Sequence, residues 1–60
     1  MVKSKVKING QFWNVVDVGF DIQQAAAEVA QELRSGTKKF KYRVYLAERG
    51  DWWVLERKKG

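Results

Sequence analysis

Apolar and polar residues alternate with a period of two on both sides of Asn9-Gly10, in the stretch KVKINGQFWNVV. That pattern marks two strands joined by a tight turn. Asn-Gly suits the centre of a two-residue type I′ turn, where both positions need positive φ. The turn sets Ile8 opposite Gln11, Lys7 opposite Phe12, Val6 opposite Trp13 and Ser4 opposite Val15. Val6, Ile8, Trp13 and Val15 then share an uncharged side, the expected core face, while Lys5, Lys7, Phe12, Asn14 and Val16 share the other. Phe12 is the anomaly, an aromatic ring among lysines.

Gly19, in VVDVGF, permits a turn, and beyond it the period becomes helical. In FDIQQAAAEVAQELRSG, the residues Ile22, Ala26, Val29 and Leu33 fall on one stripe flanked by Ala25 and Ala30, with Gln24, Glu28 and Gln31 opposite. Asp21 is the expected N-cap, with Gln24 completing a capping box, and Gly36 closes the helix. The alanines favour helix and allow close approach to a sheet. The same alanine-rich face is also compatible with a dimer seam, but the sheet needs cover.

Alternation returns in KKFKYRVYLAERGDWWVLERKK. Phe40, Tyr42, Val44 and Leu46 take one face, and Lys41, Arg43 and Tyr45 the other. A turn at Arg49-Gly50 pairs Glu48 with Asp51, Leu46 with Trp53 and Val44 with Leu55. Trp53 and Leu55 then enter the core, whereas Trp52 and Val54 join Tyr45 and Arg43 on the opposite face, with Glu56 across from Arg43. A longer loop slips this register by one and exchanges the two tryptophans.

The chain thus reads as a single α+β domain over residues 1–60, with strands at about 2–8, 11–17, 39–48 and 51–58 and a helix at about 22–35. One helix packs on one face of a four-stranded, mainly antiparallel sheet in a ββαββ arrangement, and the other face is left exposed or in an interface. A fully antiparallel strand order 2-1-3-4 is favoured over 1-2-3-4, which would place a parallel pair at the centre.

Composition narrows the function. Cysteine and histidine are both absent, which excludes disulfides, Cys/His zinc sites and catalysis by either residue. The carboxylates have structural readings as cap, turn or cross-strand partner; Asp17 stands alone and supplies neither an acid/base pair nor a metal cage. No enzyme, metal or cofactor is expected. RGD at 49–51 reads as turn chemistry rather than an adhesion motif. The first residues carry lysines without an apolar run, and the helix places glutamate opposite its apolar stripe, so neither a signal peptide, a membrane span nor a membrane-surface helix is expected. The expected location is cytoplasmic.

Twelve basic residues against seven acidic ones give a formal charge of +5, which favours polyanions if the charge gathers on one surface. On the expected registers the sheet face away from the helix carries Phe12, Val16, Tyr45, Trp52 and Val54, interleaved with Lys5, Lys7, Lys41 and Arg43. Lys3, Lys38, Lys39 and Arg57 to Lys59 extend the basic surface. One reading is a nucleic-acid-binding face, in which rings stack on unpaired bases at about 1–3 kcal/mol each and cations follow the phosphates. The alternative is a protein-interaction or inhibitor module, with a homodimer through the same face, because Trp, Tyr and Arg dominate interface hot spots and so small a core gains from association.

Overall fold

In the computed structural model, which describes residues 5–59, the first hairpin closes at Asn9-Gly10 with both residues at positive φ (51° and 79°). β1 (Lys5–Ile8) and β2 (Gln11–Phe20) pair in the expected register, Val6 with Trp13, Lys7 with Phe12 and Ile8 with Gln11. The expected Ser4–Val15 pair, Lys3 and the start of the first strand lie outside the described residues. α1 (Gln23–Ser35) follows, then β3 (Phe40–Leu46) and β4 (Trp52–Lys58). The result is a ββαββ domain with a four-stranded antiparallel sheet and a single helix packed against it.

The strand order is β1-β2-β4-β3, not the favoured 2-1-3-4. β4 slots between β2 and β3, so every neighbouring pair is antiparallel even though the helix connects strands that run the same way. Its run Trp52-Trp53-Val54-Leu55 is apolar on both faces, as a central strand requires, with Val54 and Leu55 each 0% exposed on opposite sides. β3, which carries Lys41 and Arg43, is an edge strand, where charged side chains discourage unwanted strand pairing.

The second hairpin departs from the expected register by one residue. The loop is longer than two residues: Ala47 N–H donates to the Asp51 carbonyl and Gly50 N–H donates to the Ala47 carbonyl, both at 2.9 Å. Gly50, at φ 99°, is the last residue of a three-residue loop, a left-handed position that suits glycine. Leu46 therefore faces Trp52, Val44 faces Val54, Tyr45 faces Trp53 and Arg43 faces Leu55. A one-residue slip inverts every side chain. Trp52 and Val54 accordingly lie on the helix side, and Trp53 and Leu55 on the side away from it.

Two clusters result, one on each face. Under the helix, Ala26, Ala30 and Val54 are buried, with Phe20, Val29, Leu33, Tyr42, Val44 and Trp52 around them. On the other face Val6, Trp13, Ala47, Trp53 and Leu55 are buried, with Ile8, Val15, Val18 and Tyr45 packed against them. The expected core side of the first hairpin is a core, but of the face without the helix. The alanine stripe can approach the valine-bearing face closely, whereas the bulky indoles of the other face cover Leu55 themselves.

The helix begins one residue late. Ile22 is the N-cap, with extended backbone and no side-chain capping bond, so the expected Asp21 cap and Gln24 capping box do not form. Ile22 leaves the stripe and is 58% exposed. Gly36 caps the C-terminus as expected, and its N–H donates to the Leu33 carbonyl at 3.1 Å.

β2 runs to Phe20 rather than stopping near residue 17, because two bulges let it follow β4. The register steps from Val15–Leu55 to Asp17–Val54 and then to Phe20–Trp52. Each bulge adds one residue and inverts the alternation. The first turns Val18 toward the helix-free cluster, and the second returns Phe20 to the helix side.

Candidate functional site

The helix-free face is built on all four strands, and its centre is Leu55. Trp13 and Trp53, each 7% exposed, lie to either side. Cations cover both indoles. Lys41 Nζ sits 5.9 Å and the Arg43 guanidinium carbon 5.5 Å from the Trp13 ring centroid. The Arg49 guanidinium carbon sits 5.5 Å from that of Trp53. Such contacts stabilise an exposed site by about 0.5–1 kcal/mol each and hold long side chains in place. Tyr45 leans on Trp53, with centroids 6.0 Å apart and planes at 59°.

Asp51 ties the loop end of this face together. Its Oδ1 accepts a bond from Arg49 Nε and its Oδ2 from Arg49 Nη2, both 2.7 Å. Oδ2 also accepts from Trp53 Nε1 at 3.0 Å and from the Gly19 backbone N–H at 2.9 Å. Gly19, at φ 85°, belongs to the second bulge of β2, so the carboxylate satisfies a donor that the bulge removes from the ladder. The Arg49 hydrogen bonds hold the Asp51 carboxyl far below the usual carboxylate range against the opposing effect of desolvation, and the Trp53 bond adds to them. Asp51, read from sequence as a turn residue, is also the link between the turn, β2 and an indole.

Glu56 is not the partner of Arg43. The one-residue slip places it opposite Tyr42, on the helix side. There desolvation raises the Tyr42 phenol, and the adjacent Glu56 carboxylate raises it further. Among the described residues Arg43 has no carboxylate in an ion pair with it, and Lys41 faces Arg57 across the β3–β4 pair. Lys58 lies opposite Phe40, and Lys59 N–H donates to the Lys39 carbonyl at 2.9 Å, so Lys38, Lys39, Lys58 and Lys59 gather at the same end of these strands. Among the described residues the ion pair formed is Arg49–Asp51, and none of these other cations takes part in one.

The expected site residues are divided between the faces. Lys41, Arg43 and Tyr45 remain together on the helix-free face. Trp52 and Val54 do not belong to it: Val54 is fully buried beneath the helix and Trp52 packs in the same cluster. Lys5, Lys7 and Phe12 are on the helix-bearing side, at the β1–β2 end of the sheet, with Lys7 Nζ 5.6 Å from the Phe12 ring centroid. Phe12 is 61% exposed, and Val16 is exposed as well. Trp13 and Trp53 were not expected in the site; the position of Gly50 at the end of a three-residue loop was the available signal for Trp53, whereas Trp13 depends on which face the helix covers. Among the described residues no group of three or more acidic, histidine or cysteine side chains is placed to hold a metal, and no helix is long and apolar enough to cross a membrane. Comparison with protein-family models, curated proteins and solved structures finds no match.

Proposed function

We propose that this chain is a non-enzymatic nucleic-acid-binding protein whose contact surface is the helix-free sheet face and the basic end of β3 and β4. One observation carries the reading: Lys41, Arg43 and Arg57 share the helix-free face and are continued at the end of β3 and β4 by Lys38, Lys39 and Lys59, with Lys58 beside Phe40 on the helix side, and among the described residues none of these cations makes an ion pair. A phosphate backbone is the polyanion that such a surface attracts, and release of condensed counterions drives the association. Trp13 holds Lys41 and Arg43 against the sheet, which lowers the side-chain entropy lost on binding. The expected role of Trp52 as a stacking platform is withdrawn, because it packs beneath the helix.

Anisotropy titration of labelled DNA and RNA at about 50 and 200 mM salt tests the proposal. Binding should weaken steeply with salt, and Lys41→Gln with Arg57→Gln should reduce the log–log slope by about 2 while leaving the urea unfolding midpoint in place. Absence of binding to any nucleic acid at the lower salt would refute it. A second reading, contact with a protein or with a second copy, draws on the exposure of Phe12, Ile22 and Leu46 outside that face. A sedimentation coefficient that is constant from submicromolar to micromolar concentration would remove the homodimer.

A further inference from the structure

Resting on the nucleic-acid reading above, we infer that the partner is a duplex held by its phosphates, not an unpaired strand stacked on rings. A single strand is bound by laying its bases on open aromatic faces. This surface offers few. Trp13 and Trp53 keep 7% of their surface, and cations lie over both indoles. A base could stack on Trp13 only by displacing Lys41 and Arg43, the side chains that would hold its phosphates. Tyr45 is half-buried and tilted against Trp53. Phe12 is the well-exposed ring, but it lies on the opposite side of the sheet from Arg43 and Arg57, so one strand cannot use both sets at once.

A duplex asks for no ring. It carries one charge per about 1.7 Å of axis, twice the density of one of its strands. The cations are correspondingly dense: Lys41 and Arg57 are cross-strand partners, and Arg43 lies two residues along, about 7 Å away. A guanidinium carries five N–H donors in a fork that pairs bidentately with phosphate oxygens, and a contact to one indole leaves donors free for them.

The deciding experiment compares one labelled 20-mer of mixed sequence as a duplex, as each separate strand, and beside oligo-dT of the same length, at equal salt. The duplex should bind at least tenfold more tightly than oligo-dT, with little change in tryptophan emission, because no base reaches an indole. Equal or tighter binding of oligo-dT, or strong tryptophan quenching by it, would overturn the duplex assignment while leaving nucleic-acid binding intact. Failure of both forms to bind at about 50 mM salt would overturn the reading beneath it as well.

Discussion

Leu55→Ala tests the claim that a sheet face without a helix is nevertheless a core. Leu55 is 0% exposed and belongs to a cluster with Trp13, Trp53 and Val6. The substitution removes three carbons, about 2.4 kcal/mol at about 0.8 kcal/mol per buried methylene. The enclosed position then leaves a cavity, which brings the loss to about 3–4 kcal/mol, inside the usual range of about 2–5 for such changes. A chain of 60 residues has a total stability of about 3–9 kcal/mol. Urea unfolding followed by tryptophan emission should therefore show a midpoint about 3 M lower, at a slope of about 1 kcal/mol per molar, or a variant that does not fold. Val16→Ala is the control, since Val16 is exposed and the change should stay within about 0.5 kcal/mol. A Leu55→Ala cost below about 1 kcal/mol would show that this face is surface rather than core, and the assignment of Trp53 to it would fall too.

The remaining predictions concern the loop that sets the register and the C-cap of the helix. Asp51→Asn should lower the melting temperature near neutral pH and flatten its acid dependence. A carboxyl held below its unfolded value, about 3.9, contributes fully above that pH and loses its contribution as pH falls. The two melting curves should thus keep a constant separation above about pH 5 and approach one another as pH falls below about 4, and curves still parallel at about pH 2.5 would exclude a stabilising role for the ionised group. Gly50→Ala should cost about 1–2 kcal/mol, because Gly50 has φ 99° while a Cβ there meets nothing within 4 Å, leaving backbone conformation as the sole penalty. Gly36→Ala, at φ −89° with ordinary Cβ contacts, should be neutral or stabilising by up to about 1 kcal/mol in the same unfolding assay.

How far the sequence determined this protein follows from the range of the interactions involved. The first hairpin was legible because Asn9-Gly10 specifies turn and register from within two residues. The helix was legible because an apolar stripe repeated through thirteen residues exceeds the noise of any single position, although Ile22 and the Asp21 cap were not placed. The ββαββ order and one-sided helix followed from those patterns. Local rules left the second hairpin open between two loop lengths, and the period of two turned that one-residue ambiguity into an exchange of Trp52 with Trp53. The candidate site moved with it: Lys41, Arg43 and Tyr45 kept their face because β3 alternates by itself, while Trp52 and Val54 lost theirs. Strand order and the bulges of β2 depend on partners more than thirty residues away, as in the bond from Gly19 to Asp51. The order favoured from sequence put the last strand at an edge with Trp52 and Val54 exposed; only packing between β2 and β3 made it central and turned both faces of Trp52–Leu55 into cores.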